Sequence, residues 1–271
     1  MKLSENRLVV AVPLIPILYL VITRFPPLFF SLLTTAAVLM AQFEFYKLYY
    51  REKNPPALYL GLTCGFLMLS LFYMNPRPIF FVAAFFFILM AILIFNLFFF
   101  REITLTLLDC AVLYAGVFYL AGFLGHLILI RQAPEGAYFI LFLLIVVWGN
   151  DAGAYYVGRF IGGKKLYPAI SPNKTVAGSI GGFVIGALAG ILSKMTLLPI
   201  LSSGEALFLS LALVAVAQLG DLVESMFKRS ANVKDSGGLI PAHGGLFDKL
   251  DGVAFAAPLL YYYLMLRDLL R

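Results

Sequence analysis

Nine apolar runs, separated by short charged or proline-bearing breaks, take up most of this chain. They cover residues 8–23, 27–43, 56–74, 78–100, 104–130, 137–157, 176–192, 206–222 and about 248–266. Crossing the hydrocarbon core takes about 20 apolar residues in a helix, which satisfies its backbone N–H and C=O groups internally. Runs of this length, repeated along a chain, predict an all-α polytopic membrane protein with about nine transmembrane helices. Composition agrees: 13% of residues are charged, against about a quarter in a soluble domain. The net charge of +6 comes from bases scattered between apolar runs, so no nucleic-acid partner is expected. Cys64 and Cys110 lie inside such runs and carry no disulfide or metal signal. Lys2 and Arg7 precede the first run without a small-residue cleavage site after it, which reads as a retained first span.

Placing the N-terminus in the cytoplasm puts 14 Lys and Arg residues inside and 6 outside, the bias that membrane insertion produces. A plasma (inner) membrane location with a cytoplasm-facing site is therefore expected. Residues 1–130 form about five spans with few ionisable groups; Asp109 and His126 read as polar groups satisfied near helix ends. Glu44, Lys47, Arg51, Glu52 and Lys53, interleaved with tyrosines, read as an interfacial segment after the second span. Residues 131–271 form about four spans and hold the polar constellations. Gly178, Gly182, Gly186 and Gly190 make a stripe for close helix packing; a homodimer through it is conceivable.

This orientation brings Asp151, Asp221, Asp248 and Asp251, from three different spans, to one membrane boundary. The last apolar run alone, at 1.5 Å per residue, gives roughly 22 Å, and roughly 28 Å when counted from Asp248. The two aspartates therefore belong at or just under the interface. Asp248 and Asp251 are spaced i, i+3 on one helix face. Such hard oxygen ligands suit Mg²⁺, whose shell substrate phosphates complete; the alternative is a helix-start acidic pair neutralised by Lys249 or Lys234. Asp221 sits where a helix C-terminus would disfavour its charge, unless the helix continues or a cation is near. Glu224 is explained by an i, i+4 ion pair with Lys228 on a solvated face. His243 has no Cys or second His nearby to suggest zinc, and serves phosphate binding, proton transfer or a turn. Gly158 to Lys164 nearly matches a phosphate-binding loop, but Lys165 replaces its Ser/Thr and no strand is expected before it. Bases, carboxylates and Gly-rich turns at a lipid boundary point to metal-assisted phosphoryl or nucleotidyl transfer on a lipid head group.

The stretch 225–251 resembles the signature of phosphatidate cytidylyltransferases (CDP-diacylglycerol synthases), S-x-x-K-R-x4-K-D, then P-x-H-G-G and D-R-x-D. Ser225, Lys228, Arg229, Lys234, Asp235, Pro241, His243, Gly244, Gly245, Asp248 and Asp251 occupy its positions. The segments N-D-x-G-A-Y…G-R and S-P-x-K-T extend the likeness over about 148–266. Lys249 replaces the usual Arg, keeping charge but losing the bidentate fork. Ala177 stands where the family often has Glu, so no acidic role is assigned there. The resemblance implies the reaction of CTP with phosphatidate in the bilayer, giving CDP-diacylglycerol and pyrophosphate with Mg²⁺ and room for a second cation. Asp221, Asp248 and Asp251 would then hold the metal. Lys174, Lys228, Arg229 and Lys234 would neutralise phosphate charge, and Asp151, Ser225, Asp235, Gly244 and Gly245 would support substrate. Two rivals remain: a CTP-dependent polyprenol (dolichol-type) kinase, which would release CDP, and a transporter using the carboxylates as an ion path.

Overall fold

The computed structural model describes residues 7–50, 55–237 and 245–269. Ten α-helices dominate them: α1 (Arg7–Thr23), α2 (Pro27–Tyr50), α3 (Pro55–Met74), α4 (Pro78–Phe99), α5 (Thr106–Ala115), α6 (Phe123–Gln132), α7 (Gly136–Ile161), α8 (Val176–Leu197), α9 (Ser203–Ser230) and α10 (Phe247–Leu269). A π-helical turn, Gly116–Gly122, joins α5 to α6 without a break, so Ile103–Gln132 forms one span. Proline opens α2, α3 and α4, where a missing N–H costs nothing. Thr175 caps α8 by accepting from Gly178 N at 3.0 Å, and a Ser202–Glu205 capping box starts α9.

Among the described residues, 7 helices are long and apolar enough to cross a membrane. The chain is thus an all-α, multi-pass membrane protein. The expected count of nine rests on α1, which has only 17 residues, and on α10, which carries charges near both ends. Two boundaries fall well beyond the apolar runs. Helix α2 continues through Glu44 to Tyr50, and α9 runs on to Ser230, so the first residues of the signature are helical. One small sheet interrupts the helices. Strands β1 (Lys165–Tyr167) and β2 (Ser171–Thr175) pair antiparallel between α7 and α8.

Contacts sort the helix ends into two layers. In one, Arg131 donates to Phe25 O at 2.8 Å and Gln132 to Tyr73 O at 2.9 Å. In the other, Tyr50 donates to Asp109 O and Tyr49 to Phe227 O, each at 3.2 Å. The second layer therefore gathers the end of α2, the start of α5 and the end of α9. Asp109 is buried there under a bidentate Arg101, and His126 rests its Nδ1 on the Gly122 and Phe123 carbonyls. Both behave as satisfied structural groups.

Helix α8 lies closest on α7 and also packs on α9. A Cβ at Gly182 would collide with Asn150 Oδ1 on α7 and Gln218 Nε2 on α9, so only glycine lets these helices meet. Gly178, Gly186 and Gly190 are likewise buried against α7 and α9 within the chain. The stripe is consumed internally and leaves no surface of its own for a second copy.

Candidate functional site

Four elements bring polar side chains to the second layer of helix ends: the last turns of α7 and α9, the start of α10, and β2 between α7 and α8. A network of amides fixes the helices first. Gln218 on α9 donates to Asn150 Oδ1 at 2.8 Å and to Ser179 O at 3.0 Å, and its own oxygen accepts from the Ser179 hydroxyl. Asn150 passes the chain on to Asp151 Oδ1 at 3.0 Å. Both amide groups and the Ser179 hydroxyl are engaged, so the network holds α7, α8 and α9 in one register.

On that frame sits an acidic group. Asp221 and Glu224 on α9 and Asp251 on α10 place carboxylate oxygens within 4.8 Å of one another. Gly220 makes the approach possible, because a Cβ there would strike Asp251 O and the Phe255 ring. Asp221 tolerates its position because α9 continues beyond it, so it does not face a helix C-terminus. Glu224 forms the expected pair with Lys228 at 2.7 Å, but not on a solvated face: Glu224 is 1% exposed and Lys228 13%. Helix α10 covers both.

Lys228 also reaches Asp248 Oδ1 at 3.0 Å, bridging α9 and α10. Asp248 further accepts from Gly245 N at 3.0 Å and from Ser236 N at 3.2 Å, so it clamps both stems of the signature loop. Its oxygens are engaged by these donors, and the close acidic group holds Glu224 in the place expected for Asp248. Lys174 on β2 pairs with Asp221. Arg229 donates to Ile170 O at 3.2 Å and Val233 O at 2.9 Å, tying the hairpin to the end of α9 rather than pointing at the acids.

Ser225 is buried beside Glu224, Gly245 is buried at the loop stem, and Lys234 and Asp235 are exposed. Pro241, His243 and Gly244 lie outside the described residues. A cavity of about 510 Å³ opens beside the acids, lined among others by Asp151, Arg159, Lys174, Gln218 and Asp221. Asp151 and Asp221 thus face one space from two helices.

Reading the sequence missed Gln218, Ser179, Glu44 and Tyr119. Gln218 is a lone amide three residues before Asp221 in an apolar run, a signal that was available. Tyr119 sits on the π-helical turn with its ring against Phe227, Phe247 and Phe255, and its buried hydroxyl has no partner among the described residues. Only the fold reveals it.

Helices that span a bilayer, closed at one end by clustered carboxylates, two lysines and a cavity, define a multi-pass membrane protein with a charge-dense site at one layer of its helix ends. More narrowly, the chain belongs to the cytidylyltransferase family, whose model matches residues 5–267. It is 46% identical to a phosphatidate cytidylyltransferase of Bacillus subtilis over 143 residues, 52% of this chain and 53% of that protein. Similar matches are the phosphatidate cytidylyltransferases of Brucella suis, 46% identical over 151 residues (55% of each chain), and of Staphylococcus saprophyticus, 42% over 137 residues (51% of this chain, 53% of that protein). The chain thus spans about half the length of the curated relatives it matches.

Proposed function

We propose that this protein transfers the cytidylyl group of CTP to phosphatidate at the cytoplasmic face of the plasma membrane, forming CDP-diacylglycerol and pyrophosphate. The observation that carries the reading is the joining of Asp221, Glu224 and Asp251 to Lys174 and Lys228 at one layer of helix ends. Membership of the cytidylyltransferase family and the names of the relatives support the choice of substrates.

The donor set fits a divalent cation. Four carboxylates, Asp221, Glu224, Asp248 and Asp251, stand against two ammonium groups in ion pairs with them, Lys174 and Lys228. If all are ionised, two negative charges remain, and hard oxygens without sulfur or imidazole select Mg²⁺. Asp221 and Asp251, with Glu224 closing the group, would hold it; Asp248 would act through Lys228 and the loop stems. When bound, the ion would offset charge on the phosphate oxygens of the nucleotide.

The chemistry asks little proton transfer of the protein. A phosphatidate oxygen, already anionic, attacks the α-phosphorus of CTP. The new P–O bond forms as the bond from the α-phosphorus to the bridging oxygen breaks, and pyrophosphate carries away the electron pair. Lys174 and Arg159, both lining the cavity, are placed to neutralise phosphate charge, and Lys228 holds the two acids that flank it. Catalysis is therefore mostly positioning and charge compensation.

Labelled nucleotide tests the assignment. With purified protein and phosphatidate, label from the α-phosphate of CTP is expected in the lipid and label from the γ-phosphate in pyrophosphate. Label from the γ-phosphate in a lipid product would establish a kinase instead. Neither label in lipid, together with nucleotide-independent solute flux in proteoliposomes, would leave the transporter.

A further inference from the structure

The signature loop rests on a residue outside the signature. Glu44 lies near the end of α2, far outside the 225–251 signature, and it is 3% exposed. Its Oε2 accepts from Phe247 N, the first residue of α10, at 2.8 Å across 203 positions of sequence. The hydroxyl of Ser236, on the other stem of the loop, donates to the same oxygen at 3.4 Å. Ser236 also gives its backbone N–H to Asp248, so Glu44 and Asp248 share the two stems between them.

Neighbouring side chains make this docking a built surface. The Phe45 ring lies 5.5 Å from Phe227 on α9 and 5.6 Å from Phe247 on α10. The Tyr49 hydroxyl meets Ser230 Oγ at 2.7 Å. Two loop glycines find their reason here. A Cβ at Gly237 would stand 2.8 Å from Glu44 Oε1, and one at Gly245 would stand 2.6 Å from Oε2. The backbone can close over the carboxylate only where no side chain intervenes.

A buried carboxylate is costly unless donors satisfy it. Here Oε2 has its donors in the N-terminus of α10 and the loop stem, Oε1 is buried without a partner among the described residues, and a helix N-terminus favours negative charge. Glu44 thus acts as a cap supplied to α10 from another helix. Asp248 and Asp251 follow Phe247 by one and four residues, so whatever fixes Phe247 sets where their carboxylates stand. We propose that Glu44 is a positioning residue of the active site, through which α2 holds the stems of the signature loop at Ser236 and Gly245 and the start of α10 in their working geometry.

The activity readout rests on the proposed transferase reaction; the exchange readout does not. Glu44→Met keeps length but removes both acceptors, while Glu44→Gln keeps one. In nanodiscs, Glu44→Met is expected to lower kcat by about 10–100-fold, the scale of losses when a supporting shell is removed, with KM for CTP within about threefold by the same reasoning. Glu44→Gln should recover part of that loss. Amide exchange at Phe247 should quicken at least about tenfold in Glu44→Met while amides of α8 keep their wild-type rates, since opening is local. Wild-type kcat in Glu44→Met, or wild-type exchange at Phe247, would overturn the proposal, and should the Met variant not fold, the same two measurements on Glu44→Gln decide it. An inactive wild type whose Phe247 exchange still depends on Glu44 would instead strike at the transferase reading alone.

Discussion

Asp251→Asn should be folded and almost inactive. The substitution preserves shape at a position where Gly220 packs against the Asp251 backbone and leaves the neighbouring α9–α10 contact intact. What it removes is one of three carboxylates whose oxygens stand within 4.8 Å of one another. A metal-bound phosphate gains several kcal/mol of charge stabilisation, and each 1.36 kcal/mol is a factor of ten in rate. Initial rates of CDP-diacylglycerol formation are therefore expected to fall on the order of 10²–10³-fold. Stability should move the other way, because the acids repel one another and neutralising one relieves that strain. Thermal unfolding in detergent checks this: a midpoint equal to or above wild type beside lost turnover assigns Asp251 to function. Turnover within threefold of wild type would remove it from the site.

Lys228→Met carries the second large effect, on stability. The Lys228 ammonium lies 2.7 Å from Glu224 and 3.0 Å from Asp248, which are 1% and 14% exposed. Taking away one partner of a buried pair leaves uncompensated charge behind and costs about 3–5 kcal/mol. For a chain of this size the unfolding midpoint should drop on the order of 10 °C. Adding Glu224→Gln to the same protein removes the buried orphan and should restore most of the midpoint without restoring turnover, because the link from α9 to Asp248 stays cut. A midpoint unchanged in the single variant would mean that the bridge contributes nothing, as many exposed ion pairs do.

Much of the architecture was legible because hydropathy and helix length answer one question, which residues tolerate lipid. The runs located the helices, and alternation along the chain brought Asp151, Asp221 and Asp251 to one layer. Hydropathy failed where a charged residue is buried on another charged or polar group. Helix α2 was cut at residue 43 because Glu44 and Lys47 follow, yet Glu44 is buried by Phe247 and Ser236 from the far end of the chain. Glu224 looked like half of a solvated ion pair for the same reason: nothing in i, i+4 spacing says that α10 will cover it. The hairpin between α7 and α8 escaped because strands of 3 and 5 residues leave too short a pattern. Tyr119 escaped because its position depends on a π-helical turn, which shifts the face a side chain presents.

The central claim is that Asp221, Glu224 and Asp251 form a divalent-cation site at the junction of α9 and α10. Titrating the detergent-solubilised protein with Mn²⁺ and following free ion by electron paramagnetic resonance tests it without turnover. Wild type should bind Mn²⁺ in competition with Mg²⁺, and Asp251→Asn should weaken that binding by at least about tenfold, as loss of a directly bound carboxylate requires. Equal Mn²⁺ affinity in wild type and Asp251→Asn would contradict the account.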